Sequence, residues 1–185
     1  NVAVGAYTLQ TSTTGTSNVA VGTEALLDNT TGSSLTAIGY SALANNTTAD
    51  DNIAIGKNAM LANTTGTRNI AIGNTAYDAS DTESDNIAIG YAAMTTNTAG
   101  GSNNVALGNY ALDALTSADN CVAIGHRSQT STTTGIQNIG VGTQTLQDNT
   151  TGQENVAIGH NALLANTTGN SNVAIGQAAL DANTT

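Results

Sequence analysis

Two histidines, one cysteine and a short acidic run are the residues with the most versatile chemistry in this chain, and their spacing decides what they can do. His126 and His160 invite a metal or proton-transfer reading. They occupy the same position of a 17-residue repeat, two units apart, which puts their backbones about 9 to 10 Å apart in stacked strands. That is too far for easy shared ligation, so both are expected to be surface variation. Cys121 has no histidine beside it to generate a thiolate nucleophile, and a lone cysteine forms no intrachain disulfide. Asp78, Asp81, Glu83 and Asp85 form the densest acidic run. Oxygen ligands at alternate residues suit calcium, yet the spacing matches neither an EF-hand loop nor the Gly-Gly-x-Gly-x-Asp pattern of calcium-binding repeats. These four are weak metal candidates in what is expected to be a solvated turn. No catalytic residue, resident metal or cofactor is expected, and the chain is not expected to be an enzyme.

Polar turn residues recur in step with the repeat. Asn-Thr-Thr-Gly at Asn29 to Gly32, Asn63 to Gly66, Asn149 to Gly152 and Asn166 to Gly169 is turn chemistry, in which Asn bonds its own backbone and Gly accepts a left-handed conformation. The adjacent threonines, such as Thr30-Thr31, Thr64-Thr65, Thr133-Thr134 and Thr167-Thr168, should rise in two columns. Ice-binding β-solenoids display threonine arrays, but on strands with alternate residues outward, so ice binding is an alternative rather than the leading reading. Asn29, Asn45, Asn46, Asn63, Asn149, Asn166 and Asn183 satisfy the Asn-x-Thr glycosylation pattern. Turn geometry already explains them.

The elements that position these residues are copies of one pentad, Asn155-Val156-Ala157-Ile158-Gly159. Copies begin at 1, 18, 35, 52, 69, 86, 104, 121, 138, 155 and 172, an interval of 17 residues except for one step of 18 between Asn86 and Asn104. A fixed period of this length signals a solenoid. The array covers residues 1–185 as a single domain, expected to be a piece of a longer chain because it begins in register without an initiator Met and stops within a unit. The extra residue of the longer step is placed in the Gly100-Gly101 turn.

Within the unit, large and small residues alternate with period 2, the mark of a strand with two different faces. Val or Ile at positions 2 and 4 are expected to fill the inside of the coil, leaving Asn and Ala at positions 1 and 3 as a small, flat outer face. Asn at position 1, in Asn1, Asn18, Asn52, Asn69, Asn86, Asn104, Asn138, Asn155 and Asn172, should form a sheltered amide-to-amide ladder; Leu35 and Cys121 interrupt it. Position 5 is glycine in every unit: Gly5, Gly22, Gly39, Gly56, Gly73, Gly90, Gly108, Gly125, Gly142, Gly159 and Gly176. These glycines should end the strand in a bend closed to side chains. Positions 6 and 7 vary without rule, so Tyr40, Tyr91, His126 and His160 are candidates for surface contact. Small position 8 and apolar position 9, as in Ala162 and Leu163, add core, with one helical turn there left open.

Composition narrows the partners. The 185 residues contain no Phe, Trp or Pro, and 3 basic residues against 13 acidic ones give a net charge of −10. That charge disfavours nucleic acid and anionic membrane surfaces, both of which need clustered Lys and Arg. No stretch approaches the roughly 20 apolar residues of a membrane-spanning helix. The fold class is therefore all-β: a parallel β-solenoid of 11 coils.

The pentads Asn-Val-Ala-Ile-Gly at Asn155 and Asn172 and Asn-Ile-Ala-Ile-Gly at Asn52, Asn69 and Asn86 resemble the head repeats of YadA-like trimeric autotransporter adhesins. With their Ala-Leu and Asn-Thr-Thr-Gly segments, the units also resemble stalk repeats of phage and bacterial fibre proteins. The resemblance implies a left-handed β-roll, a side-by-side homotrimer packed through the flat Ala columns, and an extracellular place on a cell surface or virion. It implies a non-catalytic, stiff adhesive or spacer segment that self-associates, with a host-surface or matrix ligand as its further partner. A filament subunit joined end to end is another alternative.

Overall fold

The computed structural model describes residues 1–97 and 100–185. Eleven three-residue strands run in chain order: β1 (Val2–Val4), β2 (Val19–Val21), β3 (Thr36–Ile38), β4 (Ile53–Ile55), β5 (Ile70–Ile72), β6 (Ile87–Ile89), β7 (Val105–Leu107), β8 (Val122–Ile124), β9 (Ile139–Val141), β10 (Val156–Ile158) and β11 (Val173–Ile175). Each pairs in parallel with the next, so one sheet has the order β1 to β11 without a crossover. The register is identity upon identity, Ala54 facing Ala71 and Ala71 facing Ala88. Even the 18-residue step keeps it, with Ile87, Ala88 and Ile89 opposite Val105, Ala106 and Leu107. The chain is a parallel β-solenoid with a 17-residue repeat.

The two strand faces are the reverse of the expected ones. The central Ala of β2 to β8, β10 and β11, and Gly140 in β9, are buried, while Val and Ile at positions 2 and 4 are half-buried to exposed. The inside of the coil is already occupied by position 8 and 9 side chains, such as Ala59 with Met60 and Ala111 with Leu112, all at 0% exposure. Only a methyl group fits between them and the strand. The larger residues therefore turn outward, and the Ala column is core rather than docking surface.

Asparagine fills the rest of the interior. Asn52, Asn69, Asn104 and Asn155 are fully buried, and each works as a crossbar; the expected amide-to-amide rung occurs among them only at Asn155, whose Nδ2 also donates to Asn138 Oδ1 at 3.1 Å. Asn69 Oδ1 accepts the backbone N–H of Asn86 in the next coil at 2.9 Å, while its Nδ2 donates across its own coil to Glu83 O at 2.8 Å. Asn18 and Asn104 repeat both bonds. Buried polar backbone must find partners, and here one side chain satisfies a donor and an acceptor from two separate segments. The amide-to-amide ladder does exist, but at position 12. Asn46 Nδ2 donates to Asn29 Oδ1 at 2.8 Å, Asn63 to Asn46 at 3.1 Å, and Asn166 to Asn149 at 2.9 Å.

The segment after the glycine is not helical. Positions 7, 9 and 17 adopt left-handed φ in nearly every coil, as at Glu24, Leu26 and Ser34 with φ of 61°, 52° and 60°. A left-handed bulky residue costs roughly 1 to 2 kcal/mol, and the coil geometry enforces it because both neighbours hold the backbone. Leu26 N–H donates to Ala42 O of the next coil, and Glu24 N–H to Ala6 O of the previous one. The left-handed residue of the closing turn is thus position 17 and not the Gly of Asn-Thr-Thr-Gly. Gly32 has no positive φ; it is small because a Cβ would collide with the Asn29 side chain and the Ala49 carbonyl.

Departures from the consensus compensate one another. Ser80 replaces Asn at position 12, and the hydroxyl of buried Tyr77 takes over as acceptor for Asn97 Nδ2 at 3.2 Å while also accepting from Asn86 Nδ2 at 2.6 Å. The extra residue lies between Asn97 and Gly101, since Asn97 Nδ2 reaches Gly101 O four residues on instead of three; residues 98 and 99 lie outside the described residues. Cys121 replaces a crossbar Asn, and its thiol lies 3.3 Å from Gly135 O, where an amide would donate. Burial pushes this thiol up to about 11 from its usual 9.0. The folded state holds the proton more tightly than the unfolded chain, so this contribution is complete below pH 9.0 and is lost as pH rises toward 11. Cys121→Asn is therefore expected to flatten the alkaline loss of stability between those values, as followed by urea unfolding. The native thiol should also resist alkylation at pH 8 until the chain unfolds.

Candidate functional site: the outer sheet face and its aromatic rim

The outward Val, Ile and Leu side chains form an apolar face along the solenoid, interrupted at Thr36 in β3. Ile53, Ile89 and Ile124 are 36% exposed and Ile158 39%, and the face runs from Val2 to Ile175. The eleven strands that build it contain no charged residue. A face built on 11 layers, two side chains per layer, offers on the order of 1,000 Å² of contact, beyond the few hundred Å² of apolar patch usual on a monomer's surface. The period-2 alternation makes this stripe legible in the sequence, but not its direction.

Immediately beyond the strand-ending glycines lies a cluster that links two of the four surface candidates. The rings of Tyr91 and Tyr110 meet edge to face at 5.4 Å, and Tyr110 and His126 at 6.1 Å. The Arg127 guanidinium lies 5.9 Å from the Tyr110 ring centre, within cation–π reach. Sequence pattern marks Tyr110 and Arg127 only as variable position 7 residues. Spacing does not reveal the cluster, because positions 6 and 7 of successive coils converge only once the coils stack. Tyr40, 49% exposed, and His160, also exposed, stand apart from it. His126 and His160 make no shared site. Replacing both with Asn is expected to leave the circular dichroism spectrum and melting temperature within about 1 °C of wild type, because neither side chain is buried.

The acidic run diverges. Glu83 turns inward, and its carboxylate accepts from the Ser80 hydroxyl at 2.8 Å and from the N–H groups of Asp81, Thr82 and Gly100. Asp85 pairs with Arg68 through two bonds of 2.6 and 2.7 Å across neighbouring coils, which lowers the carboxyl pKa. Partial burial raises that of Asp78, with the Asp113 carboxylate adding to the effect. Asp81 is exposed and offers its backbone carbonyl to Thr64 and Thr65. Among the described residues, no three His, Cys, Asp or Glu side chains gather as metal ligands.

The turn columns are also reassigned. The position 13 hydroxyls of Thr30, Thr47 and Thr150 donate to the carbonyls of Thr47, Thr64 and Thr167 one coil on. One of the two threonine columns is therefore spent on the rod itself. Asn29, Asn46, Asn63, Asn149 and Asn166 are 0% exposed, so five of the seven glycosylation patterns are sealed inside the folded coil, while Asn45 is exposed. Comparison with protein-family models, with curated proteins and with solved structures found no match.

Proposed function

We propose that this chain is a non-catalytic shaft segment of an extracellular fibre or adhesin, assembled from identical copies that pack side by side through the Val and Ile face. The observation that carries the reading is that face: apolar, uncharged on its strands, and repeating in register from β1 to β11. A second copy suits it because nearly every layer offers two aliphatic side chains in the same register, and in a rotationally symmetric assembly every layer meets its own equivalent. The resemblance to YadA-like head repeats favours three copies and a left-handed roll, on a cell surface or virion. Inter-coil hydrogen bonds along every segment resist bending, and the Tyr91, Tyr110, His126 and Arg127 cluster at the rim is the natural place for contact with a host-surface or matrix ligand.

Mass by light scattering, with particle length by electron microscopy, tests this. A trimer about 50 Å long is expected from 11 layers at about 4.8 Å each. Ile72→Lys with Ile89→Lys places charges on the outer face of β5 and β6, and should yield monomers with an unchanged circular dichroism spectrum. A wild-type chain that stays monomeric at high concentration would sink side-by-side association. End-to-end polymers that persist in the lysine variant would make the chain a filament subunit instead.

A further inference from the structure

The hydrophobic core is not continuous along the rod. One cluster of buried apolar residues ends at Ala123, and a second begins at Leu146. Between them lie Ser128, Gln129, Thr132 and Thr145, all at 0% exposure, at positions that hold Ala, Leu or Met, Asn and Ala in most other coils. Ser128 and Thr145 satisfy each other at 2.8 Å. The β9 strand carries Gly140 in place of Ala, where a Cβ would come within 2.7 Å of Ser128 Oγ. Gln129 Nε2 donates to Val122 O at 2.8 Å, but Gln129 Oε1 and Thr132 Oγ1 are buried without a partner. Because Thr132 interrupts the inner ladder, Asn149 Nδ2 keeps only its bond to Gly152 O, whereas Asn46 also has Asn29. The backbone ladder nevertheless runs on across this step, with Gln129 N–H to Thr145 O at 2.8 Å.

We infer that the step between the eighth and ninth coils is a built-in weak joint, at which the rod opens first and which divides it into two cooperative blocks, residues 1–137 and 138–185. A solenoid's stability is close to a sum of unit and nearest-neighbour terms, so the poorest interface localises opening; buried unpaired amide oxygens also occur at Asn58, Asn63 and Asn161, but only this step also interrupts the apolar core among the described residues. Here that interface has lost apolar contact and left polar atoms unpaired, while its hydrogen-bonded sheet remains to reclose it. The joint is independent of how copies of the chain assemble.

Native-state hydrogen exchange tests it with an internal control, since the step between the third and fourth coils lies equally far from the opposite end. The amides of Gln129 and Thr133, bonded to Thr145 and Thr150, are expected to exchange at least about tenfold faster than those of Leu43 and Thr47, bonded to Ala59 and Thr64. Protection should also change abruptly at this step. Equal rates, or a smooth gradient from the last coil inward, would overturn the joint. Gln129→Leu with Thr132→Asn, which copies the second coil's Leu26 and Asn29, should bring the rates within about twofold. Thr132→Asn alone, a smaller change, should narrow the gap. A folded variant with the gap unchanged would refute the assigned cause.

Discussion

Gly90→Ala is expected to collapse the middle of the solenoid, with a loss of more than about 4 kcal/mol and a melting transition that broadens or splits. Two independent effects act at this glycine. Its φ of 143° is a conformation that L side chains rarely adopt, and a Cβ there would lie 2.5 Å from Gly108 O, 2.6 Å from Gly108 C and 2.9 Å from Asn109 N. All three atoms are backbone of the next coil, so none can move aside without breaking the register of β6 on β7. Gly100→Ala separates the two effects. Gly100 has φ of 109°, but a Cβ at this residue would meet nothing within 4 Å, so conformational strain alone should cost about 1 kcal/mol. Thermal unfolding of both variants decides the matter. Similar small losses would mean that the coils can separate enough to admit a methyl, and that stacking does not require glycine at this bend.

Asn69→Ala is expected to cost about 3 to 5 kcal/mol, because it strands two buried backbone groups and opens a cavity in the same place. Asn86 N–H loses the acceptor that holds it at 2.9 Å, and Glu83 O loses its donor at 2.8 Å. Asn69→Leu should lose markedly less. Leu35 already occupies the same slot in the third coil at 1% exposure, which shows that the interior accepts a side chain of that size there. The comparison by urea unfolding separates filling from hydrogen bonding. Equal losses in the two variants would place the cost in the bonds, and a small loss in both would show that Asn is dispensable at this position.

Stiffness connects these side chains to the proposed role of a shaft. A rod held by an interior of crossbars and methyl groups has little to compress, and its large apolar side chains are free to serve an outer contact. The same arrangement explains how a chain with no Phe or Trp forms an extended fold: each coil needs only one large buried residue, such as Leu26, Met60 or Leu163, supported by the coils on either side.

The sequence by itself determined the 17-residue period, the site of every strand, the parallel in-register stacking and the bend at each position 5 glycine. All of these follow from residue type repeating at fixed spacing, because identical units that each need burial can satisfy one another only by stacking. Alternation also established that Val and Ile share one face and Ala and Asn the other. It could not say which face lies inside, since period 2 defines sides relative to each other and carries no direction. Only the tertiary structure decided that. The cross-section of the coil, already filled by residues such as Ala59, Met60 and Asn63, leaves room for Ala54 but not for Ile53. The same cross-section buries the turn asparagines, which their polarity alone would place in solvent. It also sets the rings of Tyr91, Tyr110 and His126, which the repeat places in three successive coils, edge to face at 5.4 and 6.1 Å, a geometry that their positions in the unit do not specify.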